Sequence, residues 1–357
     1  MDASVDDDVW MERALVVSRR ALGRTGGNPA VGTVLVRDGQ LLAEGWTQPP
    51  GQDHAEPHAL RKVQDLPGAA RGATLYVTLE PCCHHGRTPP CTDALVRAGV
   101  SRVVVGTVDP FPLVSGRGIL LLREAGIAVD VGVREAACRR ANLGFLRCVA
   151  GGLPEVTLKA AVSLDGRIAS AAGESKWITG PEARLAGHRL RAEHDAILVG
   201  VGTVLADDPE LTVRVPGAQG EPLRVVLDSN LRTPPNAKML GERALVLSAH
   251  AGELAGTEVV AVERDASGLS VTAALRVLAA RGVRRVLVEG GGAMHRSFLE
   301  AGVVDRLELF MNGRVLAGGP GFVAGPGFSL GGAPGFVLDR VSREGADLWM
   351  GWESAPR

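Results

Sequence analysis

The chain has 357 residues, 45% of them hydrophobic and 22% charged, with a formal net charge of −1. Enough apolar material is present to exclude a disordered chain, and the length sets a prior of two domains or three. Balanced charge excludes the basic arm of a nucleic-acid binder, no apolar run approaches the 18 or so residues of a membrane span, and the acidic first residues lack the basic start of an export signal.

A helix opens the chain. Trp10, Ala14, Val17 and Ala21 repeat at helical spacing, and Asp6 to Asp8 suit the positive end of its dipole. Strands over 31–36 and 41–45 flank an Asp38-Gly39 hairpin turn. A helix at 58–63, a strand at 74–78, a helix at 92–98, a strand at 103–105, a helix at 118–125 and a strand at 128–131 follow. This alternation predicts a three-layer α/β domain. Residues 135–149 read as one helix, ended by Gly151, Gly152 and Pro154. A new strand starts at Val156, with others at 196–199, 223–227, 244–247, 259–262 and 286–289 and helices at 181–193 and 271–281. The second half is therefore also α/β, and the domains are expected to divide as 1–148 and 149–357. The Gly/Pro-rich stretch 318–335 carries Phe322, Val323, Phe328 and Leu330 and reads as an ordered loop.

The five cysteines are odd in number, and Cys82, Cys83 and Cys91 are clustered. That suits a reducing cytoplasm and a metal or catalytic use rather than a disulfide framework. His54 with Cys82 and Cys91 makes a three-ligand set that leaves one tetrahedral position for water, as catalytic zinc requires. Glu56, two residues from the His, can reach that water and pass its proton to a leaving amine. His-x-Glu with Pro-Cys is the pattern of zinc-dependent nucleobase deaminases. Eight residues separate the cysteines here instead of two, so residues 84–89 should loop out and Cys91 should return at a helix start, with Pro90 before it. His84, His85 and Arg87 on that loop offer donors to an anion such as a phosphate. A structural zinc with a fourth ligand from Cys83, His84 or His85 stays open, as does burial of the thiols as small apolar groups.

The runs Asn28-Pro29-Ala30-Val31-Gly32, His54-Ala55-Glu56, Thr78-Leu79-Glu80-Pro81-Cys82, His84 to Cys91 and Asp109-Pro110 with Gly116-Arg117-Gly118 resemble the bifunctional riboflavin biosynthesis deaminase/reductase family. The resemblance implies a cytidine-deaminase-like three-layer α/β/α domain followed by a dihydrofolate-reductase-like α/β domain. It implies zinc on His54, Cys82 and Cys91, proton transfer by Glu56, and substrate contacts from Asn28, His84 and Arg87. The reaction it implies is hydrolytic deamination of a diaminopyrimidinone ribosylamino 5′-phosphate. Phe111 departs from the family's Asp-Pro-Asn-Pro pattern and replaces an amide by an apolar ring.

In the second half no Gly-x-Gly-x-x-Gly follows a strand, so a standard dinucleotide site is unsupported. A buried strand instead runs into Gly290, Gly291 and Gly292 and then a helix, where backbone N–H groups could meet a phosphate or simply form a tight turn. Trp177 could stack on a flat ring, and Arg191 and Arg214 could bind phosphate; solvated charge or core packing accounts for each equally well. Residues 156–214, 227–229 and 288–299 resemble the reductase half of the same family. That resemblance implies NADPH as cofactor, facing Ala161, Trp177, Thr203, Asp207, Ser229 and the stretch Gly291, Gly292, Ala293, Met294, His295, Arg296 and Ser297. The substrate is expected to face Ser175, Arg191, Leu211, Arg214 and Glu289, and to have its ribosyl chain reduced to ribityl.

Together these readings describe a cytoplasmic enzyme of small pyrimidine ribosyl phosphates, with no nucleic-acid or membrane partner and room for a homo-oligomer. Phe111 motivates the alternative of a related pyrimidine or pterin-like substrate. A zinc-stabilised nucleotide-binding protein with inactive sites, and a nucleic-acid deaminase, are the remaining alternatives.

Overall fold

The computed structural model describes residues 3–355 other than 67, 219 and 267, with the backbone alone for 3–5. The chain divides into two compact units, Met1–Gly152 and Leu153–Arg357.

Unit one contains α1 (Ala3–Ser18), β1 (Gly32–Arg37), β2 (Gln40–Trp46), α2 (Ala55–Arg61), β3 (Thr74–Val77), α3 (Cys91–Ala98), β4 (Arg102–Val105), α4 (Arg117–Glu124), β5 (Ala128–Val131), α5 (Glu135–Ala141) and α6 (Leu143–Gly151). Its sheet runs β2-β1-β3-β4-β5, with β1 antiparallel to both neighbours and β3, β4 and β5 parallel. The inner strands are apolar on both faces, so both must be covered. Val34, Val36, Tyr76 and Val104 pack with Met11, Ala14 and Leu15 of α1 and Cys138 of α5. The alternate residues Leu35, Leu75, Val77, Val103 and Val105 pack with Ala55 and Ala59 of α2, Leu95 of α3, and Ile119 and Leu122 of α4. This is the expected three-layer order.

Two boundaries differ from the sequence reading. α2 begins at Ala55, directly after His54 in extended backbone at φ −71° and ψ 174°. The helix expected over 135–149 is broken at Asn142, which leaves helical geometry at φ −108° before Leu143 restarts it. Asn142 is buried, and its Nδ2 donates to the Cys138 carbonyl at 3.3 Å. A short amide that bonds the nearby main chain competes with the helix ladder and bends it. Gly152, at φ 69°, then ends α6, and the first compact unit ends there.

Unit two contains β6 (Glu155–Val162), α7 (Pro181–Ala192), β7 (Ala196–Gly200), α8 (Val201–Asp207), β8 (Leu223–Leu227), β9 (Ala244–Ser248), β10 (Gly252–Leu254), β11 (Thr257–Ala261), the short pair β12 (Arg264–Asp265) and β13 (Gly268–Leu269), α9 (Val271–Ala280), β14 (Arg285–Val288), α10 (Gly292–Glu300), β15 (Arg306–Met311), β16 (Phe336–Glu344) and β17 (Asp347–Ser354). The main sheet runs β10-β11-β9-β8-β7-β14-β6-β15-β17-β16. Strands from β11 to β15 in that order are parallel, while β10 and the β16–β17 hairpin are antiparallel at the edges. Residues of α9 and Phe298 of α10 bury one face of the sheet. Helices α7 and α8 bury the other. The sequence reading had not placed α8, β15, β16 or β17. Of the 318–335 loop, Phe322 packs on the core and Leu330 is exposed. Among the described residues no helix is long and apolar enough to cross a membrane.

Candidate functional site

In unit one, the N-termini of two helices and one strand end converge. His54 directly precedes α2, Glu56 sits in its first turn, Cys82 follows β3, and Cys91 is the first residue of α3. Pro90, at φ −59°, precedes that helix as its spacing predicts. His54 Nδ1 lies 3.5 Å from Cys82 Sγ and 3.4 Å from Cys91 Sγ. All three ligand atoms lie within 4.8 Å of one another. A tetrahedral zinc with ordinary Zn–N and Zn–S lengths places such N and S atoms about 3.6 Å apart, so the donor set fits zinc in both chemistry and spacing.

Their electrostatics favour a cation. The hydrogen bond from Cys91 and the nearby His54 pull Cys82 down to about 4, and the same hydrogen bond, with burial, pushes Cys91 well up. The Cys91 backbone N–H also donates to Cys82 Sγ at 3.4 Å. His54 Nε2 faces Thr88 Oγ1 at 3.3 Å. With Nδ1 turned to the thiols, Nε2–H donates to that hydroxyl and fixes the ring, as ligand histidines require. Thr88 is a residue the sequence reading had no role for.

A cavity of about 260 Å³ opens beside this group, lined by Asn28, Pro29, Val31, Thr47, His54, Glu56, Leu79, Glu80, Cys82, His84, Asp109, Phe111, Val114 and Phe145. Glu56 is buried, and its carboxyl is pushed up to about 7, first by burial and next by the charge of Cys82. Burial also lifts Asp109 to about 6, although its Oδ1 accepts the Phe111 N–H at 2.8 Å. The Phe111 ring lies 5.9 Å from the His84 ring, whose Nδ1 is buried without a hydrogen-bond partner. Of the expected contacts, Asn28 and His84 reach the cavity wall, whereas Arg87 is exposed on the loop and does not line it. Asp109, Val114 and Phe145 are wall residues to which the sequence reading assigned no role.

In unit two, the expected residues gather at the carboxyl ends of the parallel strands, the usual ligand crevice of such sheets. Ala161 lies near the end of β6, Thr203 in the helix after β7, Ser229 just past β8 and Glu289 just past β14. Glu289 is the anchor. Arg191 of α7 donates to it through Nε at 2.5 Å and Nη2 at 3.0 Å, and Lys159 Nζ lies 3.5 Å away. Burial pushes the Glu289 carboxyl up, but the Arg191 and Lys159 charges outweigh it and hold it at about 2. Lys159 went unremarked in the sequence. A second cluster joins Ser175 Oγ to Asp207 Oδ1 at 3.3 Å, with Lys176 Nζ 3.6 Å from that oxygen. Trp177 is exposed, with the Arg184 guanidinium 4.6 Å above its ring.

Several of the expected contacts have side chains engaged within the protein. Leu211 is buried with Val201, Val204 and Ile197 in the core, where an apolar chain is most stable. Arg214 is exposed and paired with Glu210 at 2.7 Å. His295 is fully buried and its Nδ1 faces the Phe322 carbonyl at 2.7 Å. Arg296 is tied to Glu300 at 2.6 Å, and Ser297 Oγ donates to the Ala293 carbonyl at 3.1 Å. The glycine turn also has a packing reason. A Cβ on Gly290 would lie 2.6 Å from Met294, and one on Gly200 would lie 2.7 Å from it. Met294 thus fills the space between the two turns. Gly291 and Gly202, where a Cβ would meet nothing within 4 Å, are the positions left open. The open Gly291 backbone at the start of α10 fits a cofactor phosphate.

Two family models match the chain. Residues 4–107 match the cytidine and deoxycytidylate deaminase zinc-binding region, and residues 154–347 match the RibD C-terminal domain. The riboflavin biosynthesis protein RibD of Bacillus amyloliquefaciens is 40% identical, over 96% of this chain and 95% of that one. The RibD of Escherichia coli strain K12 is 38% identical, over 97% and 99%. Among solved structures, Acinetobacter baumannii RibD superposes with a TM-score of 0.88 at 37% identity, over 99% of this chain and 100% of that one. A Thermotoga maritima diaminohydroxyphosphoribosylaminopyrimidine deaminase/5-amino-6-(5-phosphoribosylamino)uracil reductase superposes with a TM-score of 0.89 at 35% identity, over the same shares.

Proposed function

The chain belongs to the RibD family of bifunctional riboflavin-biosynthesis deaminase/reductases, and from that membership we propose how each unit does its half of the work. The first reaction takes 2,5-diamino-6-ribosylamino-4(3H)-pyrimidinone 5′-phosphate and water to the uracil and ammonia. The second reduces the ribosyl chain of 5-amino-6-(5-phosphoribosylamino)uracil to ribityl. The observation that carries the reading is the group of His54, Cys82 and Cys91 beside a cavity that the buried Glu56 lines.

Residues 1–148 are assigned the deamination. His54, Cys82 and Cys91 would hold zinc, which when bound supplies the Lewis acidity that makes water nucleophilic near neutral pH. Glu56 takes a proton from the attacking water and delivers it to the departing amine. Its raised pKa suits both acts, since one group must accept and then donate near pH 7. Asn28 and His84 contact the pyrimidine and sugar from the wall, and Arg87 reaches the phosphate from its loop. Residues 149–357 are assigned the reduction. NADPH supplies the hydride, and the residues of this chain orient it: Ala161, Trp177, Thr203, Asp207, Ser229 and the Gly291–Ser297 stretch line its path. Ser175, Arg191, Arg214 and Glu289 face the substrate, with Leu211 contributing main chain alone.

The partners under this reading are two small anionic pyrimidines, without nucleic acid or membrane, in a cytoplasmic protein that can form a homo-oligomer. Balanced charge and the small cavity support it. Phe111 on the cavity wall favours one second reading, a related pyrimidine as the deaminase substrate. Purified protein is expected to release ammonia from the diaminopyrimidinone phosphate and to consume NADPH on the deaminated product. An absence of ammonia from the first compound, with release from a related pyrimidine, selects the second reading. Cys91→Ser is expected to leave the protein without zinc and without ammonia release, while NADPH consumption on the deaminated compound persists. Metal analysis alongside both assays checks this, and deamination by the zinc-free variant counts against the ligand assignment.

A further inference from the structure

Glu80 lies between β3 and Cys82, and only 3% of it is exposed. Its carboxylate accepts four backbone N–H groups. Oε2 takes Asp109 at 3.2 Å and Gly116 at 2.9 Å, and Oε1 takes Gly118 at 2.9 Å and Ile119 at 3.3 Å. Gly118 and Ile119 are in the first turn of α4, and Gly116 immediately precedes it. N–H groups there have no partner in their own helix, and the helix dipole is positive. An anion is the matching acceptor, and here the protein supplies it from another element. Asp109 heads the segment that brings Asp109, Phe111 and Val114 to the cavity wall. The Glu80 carboxylate therefore grips that segment at both ends, before Phe111 and after Val114.

A second contact fixes the same junction. A Cβ on Gly118 would lie 2.2 Å from the Pro81 carbonyl oxygen. The first turn of α4 thus rests directly on the main chain between Glu80 and Cys82, at a distance that only glycine permits. Wall and metal-ligand turn are held in register by one carboxylate and one missing side chain.

We propose that Glu80 is a positioning residue for deamination: with Gly118 it sets the 109–114 wall against the Cys82 turn so that the wall meets the bound pyrimidine. This rests on the reading of the cavity as the deaminase pocket. Glu56 sits in α2, His54 directly before it and Cys91 at the start of α3, whereas the side-chain hydrogen bonds of Glu80 go to Asp109, Gly116, Gly118 and Ile119. Its loss therefore falls on substrate binding rather than on the chemical step. Glutamine in its place offers a single oxygen and turns an N–H pair toward backbone donors.

The test is steady-state ammonia release by the full chain carrying Glu80→Gln. KM for the diaminopyrimidinone phosphate is expected to rise at least about tenfold while kcat changes less than about threefold. Zinc content and NADPH consumption on the deaminated compound are expected to match wild type. Glu80→Asp, which keeps the charge, is expected to fall between the two in KM. An unchanged KM in folded Glu80→Gln protein overturns the proposal. So does a loss confined to stability or to kcat, which is the mark of a purely structural role. Where Glu80→Gln does not fold, Gly118→Ala carries the same test, because the added methyl must push α4 off Pro81; an unchanged KM there overturns it equally. A wild-type protein that releases no ammonia from this substrate overturns the deaminase reading itself, and that result is distinct from wild-type activity with an unshifted KM.

Discussion

Replacing Glu56 by Gln is expected to leave zinc bound and to lower ammonia release by about 10³-fold, within the range that a positioned acid–base group contributes. Glu56 is not one of the three grouped ligands, so the metal site keeps its full donor set. The amide cannot accept the water proton, and so cannot return it to the amine. NADPH consumption on the deaminated compound is expected to persist, because the change lies in the other unit. The carboxyl titrates near 7, raised first by burial. Bound zinc lowers that value by its charge, so the wild-type rate is expected to fall on acidification below 7 as the base becomes protonated, while the residual rate of the variant loses that dependence. Ammonia assays from pH 5 to 9 on both proteins, with metal analysis, check the set. Wild-type-level deamination by Glu56→Gln would falsify the proton-transfer role.

The second large effect is expected in the other unit. Glu289→Gln leaves Arg191, whose side chain is 16% exposed, without its bidentate partner. Breaking one side of a buried pair costs about 3–5 kcal/mol. Urea unfolding at pH 7 is expected to show a loss of that order, and NADPH consumption on the deaminated compound is expected to fall with it. The pH dependence has a definite sign. Glu289 is held at about 2 in the folded chain against an ordinary value of 4.5. A depressed carboxylate contributes stability that is present above about 4.5 and lost as pH falls toward the folded value. The gap between wild type and variant is thus expected to be constant from pH 7 to 5 and to narrow between 5 and 3. A gap that widens on acidification counts against the ion pair as its source.

Much of unit one was legible because its inner strands are short continuous apolar runs between glycine and proline turns. The metal group was legible because the chemistry demands particular atoms: an imidazole, two thiols and a carboxylate two residues along. Geometry was less so. Nothing in a Leu-Gly run announces that Asn142 will bond back to Cys138 and break a helix. In unit two, α8 contains Gly202, Thr203 and two valines, a composition that argues weakly for any helix. The β16 strand is largely exposed, so it lacks the apolar signature that marks the central strands. Lys159 did leave a trace, as the one cation inside an otherwise apolar stretch of β6; its meaning needed Glu289, which lies 130 residues further on. The Gly290–Gly292 run suits either a phosphate or a tight turn, and at Gly290 the missing side chain makes room for Met294. Both uses demand glycine, so residue type alone could not separate them.

The composition of the cavity wall has a consequence for how such an enzyme can be altered. The match to the general zinc-binding region stops at residue 107. Asp109, Phe111, Val114 and Phe145, all on the wall, come after it. The portion matched by the zinc-binding region carries the metal group, the proton carrier and the wall residues Asn28 and His84, and the stretch of unit one that follows it completes the pocket. Substitutions at Phe111, Val114 or Phe145 change the wall while replacing neither a metal ligand nor Glu56. Phe111 lies in this later stretch, on the wall and outside the donor set, so its side chain bears on the shape of the pocket and not on the metal group.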